Sequence, residues 1–310
     1  MKAEGSMSVH PLSCEAILHP LLSHLWLHEP DADAIARAAR ELSLPPAAPP
    51  ELAVAYTDLF LLNVYPYASV YLDPDGEMNG ARAQDMRDVC EQYHFAPGAL
   101  SEVGAPDHIG LMLALLDHTG HDDLLPYLLD WAPVLCLAVE REPAAHSFYR
   151  ALAGETRRAL FARLEISNRR LEARDPVGGR ADEPDEWSLP LAFADPDEEI
   201  SLRAVVRWLL SPARSGVFIS RARLGLWART LGLPLPFGER FQVGLSLWEA
   251  AGLTGQPGRL LDWLCAEVSA WDEAYAAWAA EVPAWAAYAD PWRRRTTNTT
   301  RMLAEMRAFI

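Results

Sequence analysis

The stretch from Phe148 to Leu164, FYRALAGETRRALFARL, indicates the fold class of this chain most directly. Its residues Phe148, Leu152, Thr156, Leu160 and Leu164 are spaced four apart, so they lie on one face of an α-helix. Similar helical stripes recur along most of the chain, and the alternating pattern typical of strands is nearly absent. The sequence therefore predicts an all-α protein.

The composition divides the chain into two helical parts. Residues 173–199 contain nine acidic side chains, several prolines and the pair Gly178-Gly179. Such a stretch buries little apolar surface and is typical of a solvated linker. We therefore expect a helical domain over residues 7–172, an acidic Pro/Gly-containing linker over 173–199, and a helical C-terminal extension over 200–310.

The charge and the apolar pattern exclude several classes of function. The 310 residues include 43 acidic and 27 basic side chains, which gives a formal net charge of −16. Nucleic acid is therefore not expected as a partner, because its phosphates must be met by clustered Lys and Arg. No apolar run reaches the length of about 18 residues that a membrane span needs, so no membrane insertion is expected. The four widely spaced cysteines favour reduced thiols and a cytoplasmic location.

A tyrosine-rich segment between Tyr56 and Gly80 is the first chemically distinctive part of the chain. Its residues Tyr65, Tyr67 and Tyr71 lie in and after a proline-broken loop. A tyrosine ring has an apolar body and a hydroxyl that can stay in water, which suits a surface that binds another chain. The alternative is that these rings pack onto the helices beneath them.

The pair Asp107-His108 is the second distinctive element. Asp107 stands where an N-cap would begin the helix that continues through Leu116. With the carboxylate in that role, the imidazole of His108 can face a groove as a hydrogen-bond donor or acceptor. The alternative is a plain helix cap beside a surface histidine.

Three blocks, taken in order, resemble the TorD/DmsD/NarJ family of redox-enzyme maturation chaperones, with DmsD-like members nearest. The first is Leu59-Phe60 followed by PYASVYLD at residues 66–73, and the second is Asp107-His108 at the start of a Leu/Met-rich helix. The third is HSFYRAL at residues 146–152. The resemblance covers about residues 15–170 and implies a TorD-like helical bundle there. The additional helical C-terminal region lies outside the resemblance and is predicted from its helical pattern alone.

The resemblance implies a function as well. Members of this family are cytoplasmic, non-enzymatic chaperones that bind the twin-arginine leader or the apo-form of a molybdenum-cofactor oxidoreductase subunit. They coordinate cofactor insertion with export, and a NarJ-like assembly factor for a membrane-bound oxidoreductase is the alternative within the family. No cofactor and no metal are expected for the chain itself. The oligomeric state stays open, with a homodimer as one option.

The resemblance further implies a client-binding groove. The leader-binding surface of the family corresponds to eight positions here: Tyr56, Leu59, Phe60, Tyr67, Tyr71, Gly80, Asp107 and His108. Carboxylates accept bidentate hydrogen bonds from Arg, and tyrosine rings stack on guanidinium groups. We therefore expect Asp73 and Asp107 to bind the arginines of a leader.

One segment keeps an enzymatic alternative open, a His/Asp metal-dependent phosphohydrolase. Residues 117–123, DHTGHDD, contain two histidines and three carboxylates, which are ligand types for hard or borderline metals. Gly120 lies between the histidines, however, and places them in a turn, where polar residues are expected in any case. No P-loop or nucleophile elbow occurs. We therefore expect no catalytic residues.

Overall fold

The computed structural model describes residues 20–96, 104–172, 201–234 and 237–308. Every regular element within these ranges is a helix, so the predicted all-α class is confirmed. The predicted linker, 173–199, lies outside the described residues, and the domain boundaries stay predictions. None of the described helices is both long and apolar enough to cross a membrane.

The described residues up to 172 form short helices followed by one long helix. The α-helices are α1 (Pro20–Leu27), α2 (Ala32–Glu41), α3 (Pro49–Tyr56), α4 (Ala68–Leu72), α5 (Ala81–Gln92), α6 (Ile109–Thr119), α7 (Leu125–Leu129), α8 (Ala132–Arg141) and α9 (Ser147–Glu172). A π-helical turn, Thr57–Leu61, continues α3, and a 3-10 turn, Asp122–Leu124, precedes α7.

The stripe predicted between Phe148 and Leu164 lies on the side of α9 that faces the protein core, and all five of its residues are buried. Its one polar member, Thr156, is fully hydrogen-bonded there. The Thr156 hydroxyl donates to the Leu152 carbonyl at 2.8 Å and accepts from the Trp26 indole at 2.9 Å. A buried threonine is tolerated at this position because both of its hydrogen-bonding capacities are used.

The second half of the chain is also helical. Its α-helices are α10 (Leu202–Leu210), α11 (Pro212–Ser215), α12 (Arg221–Leu231), α13 (Arg240–Leu253), α14 (Pro257–Glu281) and α15 (Ala286–Ala308), with a 3-10 turn at Pro283–Trp285. The two longest, α14 and α15, pack against each other along their length.

The two halves share one hydrophobic core. The Trp285 indole donates to the Leu129 carbonyl at 3.3 Å, and its ring lies 5.2 Å from that of Phe161. The Trp292 indole donates to the Asp130 carbonyl at 2.8 Å. Tryptophans of the second half thus pack against residues 129–130 and Phe161 of the first half.

Candidate functional site

The candidate site is built where two distant segments, residues 66–69 and 107–110, meet. The backbone N–H of Ala68 donates to the Asp107 carbonyl at 3.0 Å, and that of Ile109 donates to the Pro66 carbonyl at 2.9 Å. These two bonds make an isolated antiparallel bridge. The fold therefore brings together the first two blocks of the family resemblance.

Asp107 is fully buried, and its side chain links the two segments of this junction. Its Oδ2 accepts from the backbone N–H of Ser69 at 2.8 Å, at the start of α4. Its Oδ1 has no hydrogen-bond partner among the described residues, and burial raises the pKa of the carboxyl group. The prediction that Asp107 is the N-cap of α6 is wrong: its side chain caps α4 instead.

His108 is the N-cap of α6. Its Nδ1 accepts from the backbone N–H of Gly110 at 3.1 Å, and its ring meets the edge of the Tyr67 ring at 5.0 Å. The side chain is 2% exposed, and burial lowers its pKa to about 3, with a smaller contribution from His28. The imidazole is therefore neutral near neutral pH and acts as a hydrogen-bond acceptor.

Replacing His108 with asparagine is expected to flatten the pH dependence of stability. The pKa of this histidine is about 3 in the folded chain and near 6.5 when unfolded. Between these values the unfolded chain binds a proton that the folded chain does not, so stability falls as pH falls, by about 1.4 kcal/mol per unit. Asparagine keeps a capping oxygen and does not titrate. Urea unfolding of both proteins from about pH 7 to pH 5 measures the difference, and equal slopes would contradict it.

Tyr56, Leu59 and Phe60 form the aromatic side of the candidate site. Leu59 and Phe60 are buried, and the Tyr56 hydroxyl donates to the Trp26 carbonyl at 3.1 Å. The rings of Tyr56 and Phe60 meet edge to face at 5.1 Å, and each also contacts Tyr149, from the third block of the resemblance. Burial raises the pKa of Tyr56 strongly. These contacts join α1, α3 and α9.

Tyr71 is buried beneath the second half of the chain. Its ring stacks on that of Phe218 at 5.4 Å and also lies 5.7 Å from Trp131. Phe218 belongs to residues 217–219, a buried, non-helical segment that leads into α12. At the start of α12, the backbone N–H of Ala222 donates to Asn63 Oδ1 at 2.9 Å. The C-terminal region therefore covers this part of the candidate site.

Asp73 and Gly80 lie at the two ends of the loop between α4 and α5. Asp73 is buried, accepts from the backbone N–H of Arg82 at 3.3 Å, and lies 3.8 Å from its guanidinium. Burial raises the pKa of Asp73, although Arg82 opposes the shift. A Cβ at position 80 would lie 2.0 Å from Asp73 Oδ2, so any other residue there would require this carboxylate to move.

The structure therefore gathers the predicted site residues in one region but packs most of their side chains inside it. Those that are buried are Leu59, Phe60, Tyr71, Asp73, Asp107 and His108. Tyr56, Tyr67 and Gly80 are partly exposed. Contact of these residues with a client stays a prediction.

Sequence reasoning missed three exposed apolar side chains beside this region. Val54 is 71%, Leu61 57% and Leu62 39% exposed, on or just after the segment that carries Tyr56, Leu59 and Phe60. The run LFLL at residues 59–62 was the available signal. The run by itself does not show that Leu61 and Leu62 are the two members that face water.

The DHTGHDD segment uses its side chains in local contacts. Asp122 pairs with Arg163 at 2.8 Å, and Asp123 accepts from the Tyr93 hydroxyl at 2.7 Å. His118 and His121 lie beside aromatic rings. Across the ranges that the structure describes, no group of three or more His, Cys, Asp and Glu side chains is placed to hold a metal ion. The geometry lends the phosphohydrolase alternative no support.

Comparison with known proteins finds similarity over part of the chain. Residues 27–132 match a family model described as the nitrate reductase delta subunit. The chain is also 32% identical over 141 residues to a chaperone protein TorD from Aliivibrio fischeri. That alignment covers 37% of this chain and 63% of the relative, so the chain spans less than two thirds of the relative's length. No solved structure matches the chain.

Proposed function

We propose a function from the premise that residues 27–132 belong to the TorD/DmsD/NarJ family, as the sequence motifs indicate. The protein is a maturation chaperone that binds a redox-enzyme subunit before the subunit is complete. The observation that carries the proposal is the junction of residues 66–69 with 107–110. The first two blocks of the family resemblance build and cap this junction.

The client is the precursor of a molybdenum-cofactor oxidoreductase. The chaperone binds its twin-arginine leader, its apo-form or both, in the cytoplasm, and coordinates cofactor insertion with export. The chaperone performs no catalysis itself. In the alternative form of the proposal, the client has no leader, and the protein is a NarJ-like assembly factor for a membrane-bound oxidoreductase.

The electrostatics of the chain suit a cationic leader. A net charge of −16 attracts a basic peptide over several ångströms and speeds the encounter, more at low salt than at high. Asp107 and Asp73, which were predicted to bind leader arginines, are both buried. Direct arginine contacts are therefore expected from exposed carboxylates nearby.

A pull-down from the native host tests the function. The tagged protein is incubated with lysate of cells that express their molybdoenzymes, and bound proteins are identified by mass spectrometry. We expect enrichment of one oxidoreductase precursor with its leader attached. Enrichment of a leaderless subunit would favour the assembly-factor form, and recovery of no oxidoreductase would contradict the proposal. An unrelated acidic helical protein with the same tag controls for binding by charge alone.

A further inference from the structure

Three exposed apolar side chains lie together on one short segment. Val54 on α3, Leu61 at the end of the π-helical turn and Leu62 directly after it are 71%, 57% and 39% exposed. The other large apolar side chains that are exposed in the described ranges are scattered: Tyr127, Leu202, Leu226 and Leu253 lie on four different helices, and Met78 and Phe237 lie between helices. Scattered exposed side chains are ordinary, whereas a concentration of them indicates an interaction surface.

The π-helical turn that precedes Leu62 changes the face on which this residue lies. The backbone N–H of Val64 donates to the Leu59 carbonyl at 2.7 Å, five residues back, and the Asn63 amide closes the turn on the Asp58 carbonyl at 2.8 Å. In an α-helix, residues three apart share a face, so Leu62 would lie on the same side as Leu59. The wider turn places Leu59 inside and Leu62 outside. Single π-helical turns often occur at functional sites.

Two acidic side chains alternate with the apolar ones. Asp58 is exposed, one turn after Val54 and one turn before Leu61. Its Oδ1 accepts a long hydrogen bond of 3.5 Å from the Asn63 amide, and none of the ion pairs among the described residues includes it. Glu51, one turn before Val54, is also exposed and lies 3.1 Å from His146. We call these five residues, 51, 54, 58, 61 and 62, the acidic-apolar stripe.

We propose that the acidic-apolar stripe is the docking surface for a basic, amphipathic helical segment of the client. Apolar residues of that segment cover Val54, Leu61 and Leu62, and its arginines pair with Asp58 and Glu51. Recognition of this kind uses residues three and four apart as anchors. The inference rests on the proposed function and specifies where the client binds.

Charge selects this occupant over a second copy of the chain. In a two-fold dimer the same patch lies on both sides of the interface. The acidic side chains of one copy would then face those of the other, which costs free energy. A basic segment neutralises them instead.

The stripe also gives the buried site residues a role. Leu59 and Phe60 anchor the inner side of the segment whose outer side carries the stripe. Tyr56 ties the same segment to α1 through the Trp26 carbonyl. These are positioning residues, and the exposed side chains make the contact.

A synthetic peptide tests the docking surface on the full chain. The probe is a fluorescein-labelled peptide with two adjacent arginines followed by a leucine- and alanine-rich helix. The double variant Val54→Ser with Leu61→Ser is expected to bind it at least about tenfold more weakly, because apolar contact is lost. Asp58→Asn is expected to reduce the salt dependence of binding. Leu253→Ser removes a side chain that is 90% exposed on another element and is expected to leave binding unchanged.

The outcomes separate this inference from the proposed function. If the double variant binds the peptide as wild type does, the stripe is not the docking surface, and an oxidoreductase in the pull-down would still support the function. Absence of peptide binding by the wild type would also overturn the inference, while the pull-down decides the function independently. If Leu61→Ser converts a dimer to a monomer in sedimentation, a second copy occupies the stripe and the inference is wrong. Unchanged circular dichroism confirms that the variants are folded.

Discussion

Replacing Gly216 with alanine is expected to lower the free energy of unfolding by about 3 kcal/mol. Gly216 ends α11 with a φ of 78°, a left-handed conformation that disfavours a side chain. A Cβ there would lie 2.8 Å from the Thr296 backbone nitrogen and 2.9 Å from the Trp292 carbonyl oxygen. Both atoms belong to α15 and cannot move aside as the tip of a side chain can. The cost therefore combines backbone strain with overpacking.

This substitution also reaches the candidate site. The Gly216 carbonyl accepts from the Tyr275 hydroxyl at 2.8 Å, and the buried residues 217–219 follow directly. Among them, Phe218 stacks on Tyr71. A shift of this backbone loosens the cover over the first half of the chain.

Gly232 offers a matched control for Gly216. It also ends a helix in the left-handed conformation, with a φ of 66°, but nothing lies within 4 Å of its would-be Cβ. Gly232→Ala is expected to cost only about 1 kcal/mol, the strain alone. Urea unfolding of the two variants measures the difference, and equal losses would show that the contact with α15 is accommodated without cost.

Replacing Glu267 with glutamine is expected to lower the free energy of unfolding by about 3 kcal/mol, the low end for breaking a buried ion pair. Glu267 on α14 is 8% exposed and accepts from the Arg141 guanidinium at 2.9 Å and from the Trp271 indole at 3.0 Å. Arg223 lies 3.9 Å from its other oxygen and donates to the Arg141 carbonyl at 2.6 Å. Removing the carboxylate leaves two mostly buried guanidinium groups without their anion.

Glu77 is the matched control for Glu267, because it also joins the two halves of the chain. It pairs with Arg207 at 3.5 Å, but both side chains are more than half exposed. Such a surface pair contributes at most about 1 kcal/mol, so Glu77→Gln is expected to have little effect. Thermal unfolding in low and high salt compares the variants. Equal losses for both would mean that water solvates the Glu267 cluster more than its burial indicates.

A feature of this fold was predictable from the sequence when neighbouring residues determine it, and was not when residues distant in the chain determine it. The stripe from Phe148 to Leu164 is a local, four-residue repeat, and the structure confirms its burial. The cap of α6 was wrong by one residue, since both Asp107 and His108 are plausible caps. Asp107 does not cap α6 because its carboxylate accepts from the backbone N–H of Ser69, a residue on another helix.

The candidate site illustrates the same limit. The blocks around Leu59, Tyr67 and Asp107 were recognised from their order, but their exposure was not predictable from residue type. Tyr71 suits a wet surface as well as a core, and the partner that buries it, Phe218, comes from the other half of the chain.

The amino-acid sequence by itself determined the all-α class and the resemblance of the first half to a chaperone family, because helical periodicity and short motifs are properties of neighbouring residues. Only the tertiary structure decided which side chains of the motifs reach the surface. It joined Pro66 to Ile109, placed Phe218 over Tyr71, and wound residues 57–61 into a π-helical turn after which Leu62 lies on the exposed side. Each of these outcomes depends on packing between segments that are distant in the chain or on a small change of helical register. Neither leaves a periodic trace in the sequence.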